Sequence, residues 1–312
     1  MTDITTTRMN HLVDPTLHVW AWQIPVYLFL GGLVAGMMAI AGWFLLSGRH
    51  RNAASISSAL PLFGLILLST GMLALFLDLE HKWYVWRLYT TFEWRSPMSW
   101  GAWILVAVYP ALAATWLVTV PAWVGELVPV IGAWSSRLRA NGPVVRGIAL
   151  TNIVLSGLLG IYTGVLLSAL GARPAWNSAL LGPLFLTSGL SSAAALVHML
   201  ARDRTESELL ARADNRLLLI ELVLIMLFFV GLATSTSAHK AAAELFFGGP
   251  YTALFWVGVV GGGIAVPLIV QTLAVAHRIR HTAIAPLLVI AGGLLLRFVI
   301  VSAGQFSHWR PF

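Results

Sequence analysis

Eight stretches of this chain stay apolar for about the 20 residues that a helix needs to cross the hydrocarbon core of a bilayer. They cover roughly 20–46, 56–77, 99–119, 145–170, 179–200, 217–236, 251–276 and 284–304. Backbone in lipid must satisfy its own hydrogen bonds, so runs of this length predict an all-α integral membrane protein with eight transmembrane helices. Only 10% of the residues are charged, against about 25% in a soluble domain. The longest connections are about 20 residues and hold no soluble domain. The expected division is an N-terminal tail (1–19), a first four-helix bundle (20–170), a second bundle (171–304) and a C-terminal tail (305–312). A ninth apolar piece, "AWVGELVPVIGAW" at 122–134, is too short to span and carries Glu126 and Pro129. It reads as an interfacial helix.

The N-terminal residues lack the basic, apolar and cleavage regions of a removable signal peptide, so the first span is expected to direct insertion. Lys and Arg then set the orientation. The loops after spans 1, 3, 5 and 7 hold Arg49, Arg51, Arg137, Arg139, Arg146, Arg202, Arg204, Arg212, Arg216, Arg278 and Arg280; the opposite side holds Arg8, Lys82, Arg87, Arg95, Arg173, Lys240 and Arg310. Eleven against seven places the first set in the cytoplasm and both termini outside, in the periplasm. The net charge of +7 is spread over short loops and forms no basic face for nucleic acid. Three glycine pairs, Gly32 with Gly36, Gly160 with Gly164 and Gly258 with Gly262, have the small-xxx-small spacing of closely packed membrane helices.

The densest ionisable and aromatic sequence is "DLEHKWYVWRLYTTFEWRSPMSWGAW" (78–103), which falls outside the membrane between spans 2 and 3. Its tryptophans suit an interfacial belt. Arg87 and Arg95 can pair Asp78, Glu80 or Glu93, or meet a partner protein. Ser96 and Pro97 mark the start of span 3 as cap and first helical residue. Asp78 and His81, three apart at the end of span 2, have the spacing of a carboxylate–imidazole proton relay.

No cysteine is present, so the chain holds no iron–sulfur cluster or thiolate metal site of its own. Bis-histidine haem needs two histidines on facing helices inside the membrane. Of the nine histidines only His198 falls within a span, which opposes a di-haem cytochrome b anchor. The chain is expected to carry neither haem nor metal.

Several pieces together resemble the NrfD, or polysulfide reductase membrane-subunit, family over nearly the whole chain. They are "WQIPVYLFLGGLVAG" in span 1, "LDLEHKWYVWRLYTTFEWRSPMSWGAWIL" across spans 2 and 3, "IYTGVLLSAL" with "ARPAWNS" after span 4, and "GGLLLRFVIVSAGQ" in span 8. The resemblance implies a haem-free, eight-helix anchor in the bacterial inner membrane. Such an anchor exchanges electrons between a quinone (menaquinone or ubiquinone) and a ferredoxin-like iron–sulfur subunit, itself bound to a molybdenum or tungsten catalytic subunit. A quinone head needs hydrogen-bond partners and proton-passing groups, usually polar residues near span ends. The resemblance puts Gln23 where relatives carry an Asn and Val26 where they carry a His. It makes Tyr162 the tyrosine that bonds a quinone carbonyl, with Tyr27, Arg87, Trp176 and Asn177 as further binding candidates, and His81 and Asp78 as proton groups.

In the second half, Glu221 and Arg297 lie inside spans 6 and 8, where ionisable side chains are costly and turn inward. With Ser188, Ser191 and Ser192 on span 5 and Thr234, Ser235 and Thr236 on span 6, they form either a buried brace or part of a proton path. For the path, Ser192 and Thr234 are expected to share a lining with Glu221. A secondary transporter centred on Glu221 and Arg297 is the reading from another class; broken helices or an internal repeat would favour it, and the sequence displays neither.

Overall fold

The computed structural model describes residues 20–51, 54–171, 173–201, 204–276 and 282–309. Both outermost tail segments, 1–19 and 310–312, lie outside the described residues. Among the described residues there is no strand, and eight helices are long and apolar enough to cross a membrane. In chain order the helices are α1 (Gln23–Leu46), α2 (Ala54–Asp78), α3 (Arg87–Thr90), α4 (Pro97–Thr119), α5 (Ala122–Leu127), α6 (Pro129–Ala140), α7 (Gly142–Ser168), α8 (Leu181–Leu200), α9 (Arg204–Thr234) and α10 (Ser237–Phe247). A π-helical stretch, Leu254–Ala265, runs on into α11 (Val266–Val275), and α12 (Ile284–Phe306) closes the fold. The all-α, eight-span architecture expected from hydropathy is the one observed.

Helix α1 is the hub: 83% of its most apolar window is buried, against 33% for α2. It packs on α2, α7, α8 and α12. Lipid tails are as apolar as leucine, so such contact is driven by close packing rather than by water exclusion. The small residues show how. A Cβ on Gly36 would lie 2.6 Å from the Gly189 carbonyl oxygen, and one on Gly189 would press into the Gly32 backbone, so α1 and α8 touch backbone to backbone. Gly164 of α7 meets the Leu181–Gly182 backbone of α8 in the same way.

Gly258 and Gly262 do not form the third such pair. Residues 254–265 are wound as a π-helix, in which the hydrogen-bond step is five residues instead of four. Gly258 therefore shares its face with Gly263: Gly258 lies against Leu295 of α12, and a Cβ on Gly263 would come within 2.6 Å of Gly292 Cα.

Other boundaries differ for physical reasons. Helix α9 begins at Arg204, thirteen residues before the expected start of its span, and is 31 residues long. At 1.5 Å per residue it extends for about 46 Å, longer than the roughly 30 Å hydrocarbon core. Its first turns therefore carry charge, including the Arg212–Glu208 pair at 3.7 Å. The 122–134 piece is two helices, α5 and α6, broken at Val128 (φ −126°, ψ 90°), because the residue before a proline avoids helical geometry. Ser96 occupies the N-cap position of α4 but makes no side-chain cap bond. The nearby Ser99 hydroxyl instead accepts from the Glu93 N–H at 3.0 Å, fixing the preceding loop onto α4.

Candidate functional site

At the end of the molecule formed by the N-termini of α1 and α4 and the C-termini of α2 and α7, two tyrosines meet. Tyr27 of α1 and Tyr162 of α7 are buried and hydrogen-bonded to each other through their side chains. Tyr162 reaches this position because residue 101 on α4 is glycine. A Cβ there would overlap the phenol ring, so Gly101 is the notch into which the ring fits. One turn from Tyr27 on the same face of α1 stands Gln23. Its amide oxygen is buried without a hydrogen-bond partner among the described residues, a condition that costs stability unless something else fills it.

Two further tyrosines, Tyr89 beside the pair and Tyr109 beside Tyr89, were not anticipated from sequence. Tyr89 of α3 lies close enough to interact electrostatically with Tyr27 and Tyr162. Burial, and then neighbouring Tyr109, push its phenol above the usual tyrosine range. Tyr109 of α4 lies 3.2 Å from the Ser69 hydroxyl. Tyr89 sits in the aromatic run "YVWRLYTTFEW", where it reads as one more belt residue; only the fold of α3 against α4 separates it from its neighbours.

The remaining candidates lie at the rim or away from this pair. Helix α2 ends at Asp78, and the chain leaves helical geometry before His81 (φ −106°, ψ 70°). The i, i+3 spacing that suggested a relay therefore does not continue, and no hydrogen bond or ion pair joins Asp78 to His81 among the described residues. Asp78 is half-buried and His81 exposed, its ring edge-on to Tyr84. Arg87 is exposed, with its guanidinium 4.7 Å from the Tyr84 ring centre and 5.6 Å from that of Trp86. Trp176 is buried and spends its indole N–H on the Ile300 carbonyl at 3.0 Å; it lies against Trp20 and over Gly304. Asn177 is exposed beside it. Arg173 fastens this loop to the end of α12 through the Ser307 carbonyl (2.9 Å) and His308 (2.8 Å).

A second polar group lies deep in the other half. Ser188, Ser191 and Ser192 sit at i, i+3 and i+4 on α8, one face of the helix. Arg297 of α12 is fully buried and donates to the Ser188 hydroxyl (2.5 Å), the Gly293 carbonyl (2.9 Å) and the Phe185 carbonyl (2.8 Å). Its plane also faces the Phe185 ring at 4.8 Å. Ser188 is hydrogen-bonded to Glu221 as well, so the serine stands between carboxylate and guanidinium; no direct ion pair joins them among the described residues.

Asp214, two turns before Glu221 on α9, is completely buried and accepts from Ser191 (2.5 Å) and from Gln271 of α11 (2.8 Å). Seven residues apart, the two positions are separated by about 10.5 Å along the helix axis and lie on one face of α9. Asp214 was missed because the charges around 212–216 made this segment resemble a loop; Gln271 lies within the expected span 251–276, where a single uncharged amide gave no signal. Ser192 Oγ and Gln271 Oε1 are buried beside the group without partners. Thr234 does not join it. Thirteen residues turn a helix through about 1300°, which leaves Thr234 roughly 140° from Glu221; it is exposed and bonds back to the Val230 carbonyl.

Comparison with known proteins adds the following. The family description "Polysulphide reductase, NrfD" matches residues 9–307. The chain is 34% identical over 311 residues to protein NrfD of Escherichia coli (strain K12), covering 93% of this chain and 96% of that protein. It is 32% identical over 317 residues to a polysulfide reductase component of Wolinella succinogenes, covering 92% and 94%. A tetrathionate reductase subunit of Salmonella typhimurium is 26% identical over 184 residues, 58% of this chain and 48% of that protein.

Proposed function

The chain belongs to the NrfD polysulphide reductase family, and on that footing we propose that it is the quinone-reactive membrane subunit of a respiratory reductase. It is a multi-pass protein of the bacterial inner membrane. The observation that carries the quinone reading is the Tyr27–Tyr162 hydroxyl pair beside the unpartnered amide oxygen of Gln23.

These residues fit a quinone head by their donor and acceptor count. Two hydroxyls bonded to each other use one O–H between them and leave the other to donate into the pocket. The Gln23 oxygen is an acceptor awaiting a donor, which suits a hydroxyl as the tyrosine donor suits a carbonyl. When bound, a quinone supplies a carrier of two electrons and two protons, menaquinone and ubiquinone alike. Tyr162 and Tyr27 orient the oxygens; Gly101 sets where Tyr162 stands; half-buried Asp78 and exposed His81 each exchange protons with the aqueous side from the rim. Trp176 and Asn177 act through the loop they share, and Arg87 from the surface beyond.

The chain has no cysteine to ligate a cluster, so electrons pass to or from a ferredoxin-like iron–sulfur subunit, and onward to a molybdenum or tungsten subunit. The loop around Trp83 (92% exposed), Trp86, Arg87 and Trp94 is the surface that would receive it. The excess of Arg on the other end supports a periplasmic side for this surface. The names of the relatives, parts of polysulfide and tetrathionate reductases, support such an assembly.

The inner polar group extends the reading to proton translocation. Asp214 and Glu221 each bond a serine hydroxyl of α8, Ser191 and Ser188, with Ser192 and Arg297 beside them; buried carboxylates and hydroxyls of this kind are components of an intramembrane proton relay.

The test of the quinone site is Tyr162→Phe in the purified complex. Losing one hydroxyl bond to the head is worth about tenfold in turnover, with the complex still assembled. Unchanged quinone kinetics in both Tyr162→Phe and Gln23→Ala would move the site elsewhere.

A further inference from the structure

Away from the tyrosine site, at the arginine-rich end of the same four helices, the structure holds a cavity of about 1540 Å³. Its walls are the C-termini of α1 and α4, the N-termini of α2 and α7, and the α5–α6 turn that folds across them. That volume exceeds the roughly 300–1,000 Å³ of ordinary small-ligand pockets. Leu45, Leu46, Leu62 and Val145 make one side of it apolar, continuous with the lipid-facing helices.

The polar side is one-signed. Arg139 and Arg146 line it with His50, and no Asp or Glu does. Arg139 is already engaged: it donates to the Val118 carbonyl at 2.7 Å and to that of Val120, stapling the end of α4. Arg146 faces the cavity with no hydrogen bond or ion pair among the described residues. The indole N–H of Trp116, also on the wall, is buried without a partner. A guanidinium with no counter-ion, an orphan N–H donor and an apolar wall open to the bilayer together describe an amphiphilic anion.

We propose that this cavity is a binding site for one anionic phospholipid. The phosphate sits between Arg146 and the Trp116 N–H, and the acyl chains lie along Leu45, Leu46 and Leu62. Basic pockets between membrane helices are a recurring headgroup site. Interfacial α5 and α6, with Trp123 exposed at the surface, close the headgroup level over it. The lipid fills the end of the bundle where α1 and α4 stop short of closing on one another, and its role is to hold the interfacial turn in place.

The test is native mass spectrometry of the purified complex after partial delipidation, then supplied with phosphatidylglycerol, cardiolipin or phosphatidylcholine. One anionic lipid should be retained in preference to phosphatidylcholine. Arg146→Gln should lower that retention roughly fivefold, the worth of one arginine at an anionic surface. Arg146→Lys should restore it, and Arg137→Gln, outside the cavity, should leave it unchanged. Should Arg146→Gln not fold, Ala59→Leu keeps every charge while narrowing the apolar wall and should release the lipid. Four results would overturn the proposal: equal retention of phosphatidylcholine, an unaffected folded Arg146→Gln, competition by inorganic phosphate alone, or a quinone as the retained mass.

Discussion

At the scale of single residues, a glycine and a serine decide more than the ionisable groups they serve. Gly101 bears no functional atom, yet Tyr162 is placed only because position 101 has no Cβ. Gly101→Ala should therefore act like a site mutation: quinone turnover is expected to fall about tenfold, with the mutant subunit still assembled and its thermal midpoint little changed. Steady-state quinol oxidation beside a thermal melt checks this, and normal turnover would mean the Tyr162 ring does not bear on the chemistry. Ser188 plays the corresponding part inside the other half, joining Glu221 to Arg297. Arg297→Met removes three hydrogen bonds at once and leaves a buried carboxylate without its cation. Leaving one buried charge uncompensated costs up to about 3–5 kcal/mol, so the variant should assemble poorly, and Glu221→Gln in the same chain should recover part of the loss. Membrane-fraction yield and detergent half-life are the readouts; wild-type stability of Arg297→Met would dismiss the brace.

At the scale of elements, packing is carried by glycine faces. Gly36→Val would drive two methyl groups towards the Gly189 carbonyl and Leu190. Overpacking of this kind costs about 1–3 kcal/mol, so the thermal midpoint should drop while an exposed control such as Gly231→Ala stays near wild type; equal midpoints would deny the close crossing. The same scale shows what could be read in advance. Span length and hydropathy identify all eight crossings, because a bilayer imposes one thickness on each. The start of α9 was hidden since its first turns project beyond the hydrocarbon and carry Glu206, Glu208 and Arg212, a composition that resembles a loop. That error concealed Asp214. The π-helix was hidden for another reason: winding leaves no mark on composition, and only the pairing of Gly258 with Gly263 instead of Gly262 reveals a step of five. At the tyrosine site, Tyr27, Gln23 and Tyr162 were legible from the family resemblance, whereas Tyr89, Tyr109 and the notch at Gly101 depend on how α3 and α4 lie together. Asp78 and His81 stand apart at the rim because α2 ends at Asp78, whereas the i, i+3 spacing assumed continuous helix.

At the scale of the whole molecule, the tyrosine pair lies near one end of the spans and the Asp214–Glu221 group deep in the other half. If the two are coupled, Glu221→Gln should leave quinone turnover within about twofold of wild type and lower the number of protons moved per electron in proteoliposomes at matched flux. An unchanged ratio would reduce Glu221 to structure. The close crossing of α1 and α8 limits how such coupling works. Where Gly32 and Gly36 meet Gly189, the two halves share a backbone contact with no layer of side chains to slide on. A rocking, alternating-access cycle needs one half to swing against the other, and this seam has no room for a hinge or a shear plane. On the proposed reading, coupling would travel through a rigid frame by charge and by small side-chain rotations, as in a fixed conductor and unlike a gate. A disulfide engineered across α1 and α8, unambiguous in a protein without cysteine, should thus leave both electron and proton flow intact.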